Sequence, residues 1–375
     1  MITMTERTVF IAGGAGIVGS YAVEFLARDP TVEKIVIADI KEDYAQTVLN
    51  NAVIGSAING YYHKIVYEKV DLKDIDSIIN ALEKHNPEVI LQVATMMSSY
   101  YYIHIIKREI KRHHLPLKTY LAGHTFAKDF VFIYNLMRAL KKSGLDSKVV
   151  NLSFPDNTHV VLGKIGLAPH IGAGTIDISV NGIRQQIANH YGVPIHNITV
   201  VMVCHHAIRV TPIEYVPYYF RVYMNGNDIT NQIKELKKFI QGGIIASYVG
   251  ATTNASMTAA SAVSNVLAVL NNTQEIKHAP GPNGLPGGWP VRIGRDKVDL
   301  VLPSDLTFEE ALKIQEEGLK IDGIEKVEED GTVVFTEETV NLMRDILGIE
   351  WPKVKPDEAE EMAYDLIKAY KKLEE

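Results

Sequence analysis

The chain has 375 residues, of which 46% are hydrophobic and 22% are charged, and this length fits two domains. Its composition is typical of a folded globular protein and excludes disorder as the general state. The formal net charge of −7 argues against a nucleic-acid partner, which needs a basic surface. The single cysteine, Cys204, cannot form an internal disulfide, and the N-terminus lacks an apolar signal-peptide region, so we expect a cytoplasmic protein.

The first half alternates between short apolar runs and helical patterns. Strands are predicted at 8–12, 34–38, 64–70, 88–93 and 149–153, and helices after residue 16, at 75–85 and at 127–142. This alternation predicts an α/β fold with a doubly wound parallel sheet. The segment 96–114 reads as irregular, and its basic run fits either a solvated helix face or an anion site.

The second half mixes element types and predicts an α+β domain. Helices are expected at 177–191, 229–240, 255–270, 307–318 and from 356, and strands at 198–203, 218–224 and 291–302, with hairpin signals at 225–228 and 330–333. The Gly- and Pro-rich segment 278–290 is predicted to be an irregular loop. We place a nucleotide-binding domain at 1–155 and a substrate and oligomerisation domain with a C-terminal extension at 156–375.

The uncharged stretch 239–273 invites a membrane prediction, but it holds ten Gln, Asn, Ser and Thr residues before Asn271. So many polar side chains argue against a span facing lipid. A buried helix of small residues is the better interpretation, and we predict no membrane partner.

A glycine-rich motif follows the first strand and opens the first helix. Gly14 would allow a tight turn, Gly16 would let a pyrophosphate approach the backbone, and Gly19 would allow close packing of helix on strand. Asp39 ends the second strand, 20 residues after the last glycine, where a carboxylate hydrogen-bonds ribose hydroxyls and repels a 2′-phosphate. The motif therefore predicts a Rossmann-type site for NAD rather than NADP, although Lys41 leaves room for NADP. The predicted cofactor-binding residues are Gly13, Gly14, Gly16, Ile17, Val18, Gly19, Asp39, Asp71, Ala94 and Asn151.

Candidate catalytic groups cluster where the strand 198–203 ends. His205 and His206 can exchange a proton near neutral pH, and Asp177 on a nearby helix could fix the tautomer of such a histidine and raise its pKa. The alternative is a packed histidine pair without a role. A metal held by Cys204 and both histidines is disfavoured, because neighbouring strand residues point to opposite faces, so no metal is predicted.

Several cations and polar groups could bind substrate. Arg184 and Arg209 are candidates for a bidentate clamp on a carboxylate or phosphate, or else form surface salt bridges. His124 and Lys128 flank a segment that is either a mobile loop closing over substrate or a helix start capped by Thr125.

The order of these segments resembles the malate/lactate dehydrogenase superfamily along residues 8–320. The matching stretches are AGGAGIVGSYAVEFLARDPTVEKIVIADI, LAGHTFAKD, VVNLSFPD, GAGTIDISVNGIRQQIA, VMVCHHA and TTNASMTAASAVSNVLAVL. The resemblance implies hydride transfer between NAD and a small polar hydroxy or oxo substrate, with His205 as acid–base group and Asp177 as its partner. It also implies a homodimer or homotetramer.

The chain departs from that family at its substrate clamp. Val180 stands where the family has a carboxylate-binding arginine, and the loop arginine is missing. Phe154 stands where the family has an asparagine before proline, although Asn151 is close by. A divergent substrate follows. Two alternatives remain open: an NAD- and metal-dependent hydrolase similar to the family 4 glycosidases, and an inactive dinucleotide-binding protein. Residues 71–95 also resemble extended short-chain dehydrogenases, but no clear Tyr-x-x-x-Lys pair follows.

Overall fold

The computed structural model describes residues 6–114, 122–246 and 254–374. Its first sheet has six parallel strands in the order β3-β2-β1-β4-β5-β6, the arrangement of a Rossmann-type sheet. The strands are β1 (Thr8–Ala12), β2 (Lys34–Asp39), β3 (Lys64–Lys69), β4 (Val89–Gln92), β5 (Lys148–Asn151) and β6 (Ile171–Gly172). All five residues of β1 are buried, as a central parallel strand requires. The predicted doubly wound sheet is confirmed.

Six helices accompany this sheet. They are α1 (Ile17–Leu26), α2 (Glu42–Ile58), α3 (Ile75–His85), α4 (Ser99–Arg112), α5 (Phe126–Ser143) and α6 (Pro155–Lys164). The prediction of irregular structure across 96–114 is wrong for α4. Ser98 caps this helix by accepting a hydrogen bond from the Tyr100 amide, and its apolar side chains at helical spacing are buried. The basic run lies largely on the exposed side of α4.

The second half contains an antiparallel sheet and three helices. The strands β7 (Ile198–Cys204), β8 (Tyr218–Met224), β9 (Asn227–Asp228), β10 (Glu275–Pro280), β11 (Gly288–Ile293) and β12 (Val298–Leu300) form it, and the helices are α7 (Thr175–Tyr191), α8 (Leu236–Ala246) and α9 (Ala255–Leu270). The sheet order is β10-β11-β7-β8-β9, with β12 beside β11.

Two predictions in this half are wrong. The expected helix 229–240 is a 3-10 turn, Thr230–Gln232, followed by α8, because the Thr230 hydroxyl accepts a hydrogen bond from the Val222 amide and holds the turn against β8. The expected loop 278–290 instead contains the ends of β10 and β11, which pair with each other. Pro280 is tolerated there because β10 is an edge strand.

The segment 308–374 adds a small sheet and returns to the first half. It comprises α10 (Phe308–Ile321), β13 (Ile324–Val327), β14 (Val333–Phe335), α11 (Glu337–Leu342), β15 (Lys353–Val354) and α12 (Ala359–Glu374). β13 and β14 form the predicted hairpin. α12 packs against α4 and α5, and α9 packs against α1, so later elements cover the helices of the parallel sheet.

The division into domains 1–155 and 156–375 stays a prediction. The sixth strand of the parallel sheet, β6, lies just beyond that boundary. Among the described residues, no helix is long and apolar enough to cross a membrane. Part of the uncharged stretch, 247–253, lies outside the described residues.

Candidate active site

The glycine loop lies at the carboxyl edge of the parallel sheet, between β1 and α1. Gly13 has a φ of +92°, so it supplies the left-handed turn that we predicted for Gly14. A Cβ on Gly19 would lie 2.3 Å from the Gly13 carbonyl oxygen, which explains the predicted close packing of α1 on the loop. Gly14 packs against β2, because a Cβ there would lie 3.0 Å from Cγ2 of Ile37.

The start of α1 is open to a ligand. Gly16 is exposed and occupies the N-cap position without a side-chain cap, and Ile17 is 47% exposed while Val18 is half-buried. A Cβ on Gly16 would approach only the Gly13 carbonyl oxygen, at 3.3 Å, so its outer side is clear. Uncapped amides at the positive end of a helix dipole suit a phosphate group.

Asp39 borders this loop. Its Oδ2 accepts a hydrogen bond from the Ala15 amide at 3.1 Å, and its Oδ1 accepts one from the Lys41 amide at 3.0 Å. The carboxylate is therefore held beside the glycine loop, as the motif requires. Asp71 lies two residues beyond the end of β3, at the same edge. Ala94 follows β4 and lies against the glycine loop, because a Cβ on Gly13 would be 2.7 Å from the Ala94 Cβ.

Asn151 supports the strand end instead of facing a cleft. It is fully buried, its Oδ1 accepts a hydrogen bond from the Ser153 amide, and its Nδ2 lies 3.1 Å from Nε2 of His159 on α6. Burial lowers the pKa of His159 to about 4, so this pair is neutral near pH 7. We predicted that Asn151 would contact cofactor or substrate, but in this structure its side chain is not accessible to either.

His205 directly follows β7 and lies entirely inside the protein. It is 0% exposed, and a Cβ on Gly318 of α10 would come within 2.2 Å of the His205 Cβ. Burial lowers its pKa to about 4, and its Nδ1 lies 3.3 Å from the Ala207 amide that donates to it. A neutral, covered imidazole cannot reach a substrate in this arrangement.

His206, by contrast, is half-buried and borders the parallel sheet. Its ring packs edge-on against Phe154, with 4.9 Å between centroids, just beyond the end of β5. Burial alone would lower the pKa of His206, but the Asp322 carboxylate outweighs that effect and the pKa is raised. Phe154 has a φ of +48°, a strained conformation for a bulky residue that often marks a functional site.

The partner of His206 is Asp322, which the sequence analysis missed. Asp322 follows α10, is fully buried, and places its Oδ2 3.0 Å from Nδ1 of His206 and 3.7 Å from Nδ1 of His205. The pKa of Asp322 would be raised by burial alone, but the facing His206 lowers it overall. Its distance along the chain, 116 residues from His206, left no local signal that could have identified it.

The predicted pairing of Asp177 with a histidine is wrong in this structure. Asp177 lies in the first turn of α7, where its Oδ1 accepts a hydrogen bond from Asn181 at 2.9 Å. Burial raises the pKa of the Asp177 carboxyl, and the hydrogen bond with Ser261 opposes that shift. Its bonds therefore stay within α7 and the neighbouring α9.

A second buried carboxyl, Asp156, lies near the same histidine. It is the second residue of α6, is fully buried, and neither carboxyl oxygen has a hydrogen-bond partner among the described residues. Burial raises its pKa to about 6; the nearby His206 opposes this shift and Asp322 adds to it. We call Asp156, His205, His206 and Asp322 the histidine cluster.

Of the two arginines predicted to clamp a substrate, Arg209 lies near the histidine cluster and Arg184 is bound elsewhere. Arg184 donates to the carbonyl oxygens of Ile198 and Ile195 and to Asn181, so it ties α7 to the start of β7. Arg209 ends the 3-10 turn that begins at His206, and its charge is near enough to oppose the rise in the pKa of that histidine.

Of the two alternatives for the segment around His124 and Lys128, the described residues have the helix start and not the mobile loop. His124 lies in a buried 3-10 turn, with its Nε2 2.6 Å from the Tyr370 hydroxyl of α12. Lys128 is also buried and binds Asp129 at 2.6 Å. Thr125 occupies the N-cap position, but its side chain does not cap the helix. The adjoining stretch 115–121 lies outside the described residues.

The residues Cys204, His205 and His206 do not form a metal site. Cys204 is buried, and burial raises the pKa of its thiol, which disfavours the thiolate that a metal needs. Within the described parts of the chain, no group of three or more His, Cys, Asp or Glu side chains has a geometry that could hold a metal ion.

Comparisons with known proteins agree on the nucleotide-binding fold. Residues 9–153 match the NAD dependent epimerase/dehydratase family, and no curated protein sequence matches the chain significantly. A lactate dehydrogenase from Cryptosporidium parvum, solved with lactic acid and nicotinamide adenine dinucleotide, is 19% identical; the match covers 86% of this chain and 96% of that chain, with a TM-score of 0.60.

Two malate dehydrogenases are similar to the same extent. The Plasmodium falciparum enzyme with NADH is 16% identical over 84% of this chain and 98% of its own, with a TM-score of 0.57. The apo enzyme of Picrophilus torridus is 18% identical over 84% of this chain and 96% of its own, with a TM-score of 0.60. The resemblance predicted from the sequence is thereby confirmed for the fold.

Proposed function

We propose that this protein is an NAD-dependent oxidoreductase that transfers hydride between the nicotinamide ring and a small polar hydroxy or oxo substrate. The observation that carries this proposal is the glycine loop, held beside the Asp39 carboxylate at the carboxyl edge of the parallel sheet. That edge is where open α/β sheets bind dinucleotides. The solved dehydrogenases with the same fold, two of which contain the dinucleotide, support it.

The residues of the loop fit the cofactor. Gly13 to Gly16 and the open start of α1 would hold the pyrophosphate, and Asp39 would accept hydrogen bonds from the ribose hydroxyls. The Asp39 charge would repel a 2′-phosphate, which favours NAD over NADP. When bound, NAD supplies the hydride acceptor, and the rest of the reaction falls to the chain's own side chains.

His206 is the better candidate for proton exchange. It is half-buried beside Phe154, whereas His205 is sealed beneath α10. As the substrate carbon gives up its hydride, the hydroxyl proton would pass to Nε2 of His206, leaving a carbonyl group. The reverse direction would return that proton to the new hydroxyl.

The substrate differs from those of the lactate and malate dehydrogenases that share the fold. Val180 cannot clamp a carboxylate, and Arg184 is bound to backbone carbonyls, which leaves Arg209 as the cation closest to His206 among the predicted pair. A carboxylate, phosphate or sugar would each suit a site with one guanidinium. We further propose a cytoplasmic homodimer or homotetramer.

The test begins with calorimetric titration of cofactor-free protein with NAD and then NADP. We expect selective NAD binding, and then NAD reduction by at least one member of a panel of hydroxy acids, sugars and phosphorylated alcohols. His206→Gln should lower kcat by about 10²-fold or more with NAD binding unchanged. The matched control is His196→Gln, an exposed histidine in a separate 3-10 turn, which should change neither quantity.

Failure to bind either dinucleotide would remove the basis for this function. Selective NAD binding without turnover of any panel member would instead favour a dinucleotide-binding protein that has lost catalysis, a reading that the burial of His205 supports. Equal turnover by wild type and His206→Gln would exclude His206 from the chemistry.

A further inference from the structure

We propose that Asp322 is the positioning residue for His206, so that the last third of the chain completes the active site. This inference rests on the proposed function for its catalytic meaning, but the pairing itself can be measured without turnover. It assigns to Asp322 the role that the sequence resemblance gave to Asp177.

The geometry of the pair is that of an oriented imidazole. Nδ1 of His206 lies 3.0 Å from Oδ2 of Asp322, a distance at which the ring nitrogen donates its proton to the carboxylate. Asn157 of α6 holds the same oxygen from another side, at 3.4 Å. With Nδ1 engaged, Nε2 is the nitrogen that remains for the substrate hydroxyl.

α10 brings the carboxylate into place. Gly318 lies in the last turn of α10, four residues before the C-cap Asp322, and its missing side chain lets the helix approach His205 and the end of β7. Any larger residue at 318 would push α10 and Asp322 away from the histidines. The position of the Asp322 carboxylate therefore depends on the close contact between Gly318 and His205.

The other charged groups around His206 make Asp322 the natural partner. Asp156 faces it from α6 but forms no hydrogen bond through its carboxyl oxygens, and Arg209 faces it with a positive charge from its own turn. His205 is neutral near pH 7 because burial lowers its pKa to about 4. Among the described residues, only Asp322 combines a direct hydrogen bond with a charge that stabilises imidazolium.

The proton movement balances without further groups. In substrate oxidation, the O–H bond of the substrate would break as its proton bonds to Nε2 of His206, and bound NAD would supply the acceptor for the hydride that leaves the substrate carbon. His206 becomes imidazolium with its Nδ1 proton still donated to Asp322, which stays ionised. Solvent then removes the Nε2 proton, and neutral His206 is restored for the next turnover.

The test is an NMR titration of histidine ring nitrogens in the full-length ¹⁵N-labelled protein. His206→Gln identifies the His206 signals by their loss. We expect wild-type His206 to carry its proton on Nδ1 at high pH, and Asp322→Asn to lower the His206 pKa relative to wild type. Asp177→Asn, by contrast, should leave the His206 pKa at its wild-type value.

The kinetic readout separates positioning from general stability. Asp322→Asn should lower kcat by about 10²-fold, with little change in KM and with NAD affinity unchanged. Glu109→Gln, which alters a buried carboxylate on α4 outside the histidine cluster, is the matched control and should leave kcat unchanged.

Several results would overturn the proposal. It fails if Asp322→Asn leaves the His206 titration as in wild type, or if Asp177→Asn moves it as much. If Asp322→Asn does not fold, a wild-type His206 that carries its proton on Nε2 rather than Nδ1 at high pH is sufficient to reject it. Lack of turnover in the wild type would refute the proposed function alone, because the ring-nitrogen signals decide the pairing independently.

Discussion

The glycine loop lies at the carboxyl edge of the parallel sheet, and the histidine cluster lies where β7 of the antiparallel sheet ends. The two regions differ in which parts of the chain form them and in which interactions determine their structure. The glycine loop uses one continuous segment from Gly13 to Asp39, and its shape depends on side chains that are missing. The histidine cluster draws on α6, the end of β7 and the end of α10, and its properties depend on charges buried away from water. The first region is therefore specified locally and sterically, while the second is specified by long-range electrostatics.

The strongest way to break the first region is Gly19→Ala. The added Cβ would lie 2.3 Å from the Gly13 carbonyl oxygen and 2.8 Å from the Gly14 Cα, and backbone atoms cannot yield cheaply. We expect the substitution to raise the free energy of the loop conformation that binds NAD by about 3 kcal/mol. Calorimetry should then show roughly 100-fold weaker NAD binding.

The matched control is Gly242→Ala in α8, where the nearest atom to a new Cβ is 3.9 Å away. Both substitutions give the same gain in helix propensity, so only the steric clash differs between them. Equal NAD affinities for the two variants would show that the loop does not bind the cofactor.

The same contrast explains what the sequence could predict. The strands, the loop and Asp39 follow from apolar runs and short spacings, and the structure has them in place. Asp322 could not be found, because an Asp-Gly pair after a helix predicts only a turn until α10 is known to pack on β7. For His124 and Lys128 the sequence left a mobile loop and a helix start open, and it gave no sign that Tyr370 and Asp129 would bind them in the core.

The histidine cluster can be probed through the pH dependence of stability. The pKa of Asp156 is about 6 in the folded protein against an ordinary value of 3.8, so the folded state keeps a proton that the unfolded state releases. Its contribution is present below about pH 4 and is lost as the pH rises through about 6. The asparagine in the Asp156→Asn variant cannot ionise, so this variant does not lose that stability as the pH rises.

We therefore expect Asp156→Asn to gain about 2 kcal/mol in unfolding free energy, relative to wild type, between pH 4 and pH 7.5. Urea unfolding at both pH values measures it. The low pKa values of His159 and His205 act with the opposite sign, but both histidines are present in the two proteins. A stability difference that is independent of pH would mean that Asp156 is already ionised at pH 4 in the folded state.

The smallest expected effect concerns a hydrogen bond between distant parts of the chain that involves no residue of the histidine cluster. Tyr370→Phe removes the hydroxyl that lies 2.6 Å from Nε2 of His124, and we expect a loss of about 1 kcal/mol in unfolding free energy. Tyr364→Phe, on the exposed side of the same helix, should cost less than about 0.5 kcal/mol. Equal losses in urea unfolding would show that the buried hydrogen bond contributes nothing beyond the ring.

The position of α12 also has a consequence for how the protein is made. Because α12 packs on α4 and α5, the helices of the nucleotide-binding half are fully covered only when residues 359–374 are available. A ribosome delivers those residues long after α4 and α5, although domains tend to fold from the N-terminus during synthesis. The nucleotide-binding half must therefore wait for residues 359–374, and a nascent protein that stalls before α12 would expose an apolar helical surface to chaperones and proteases.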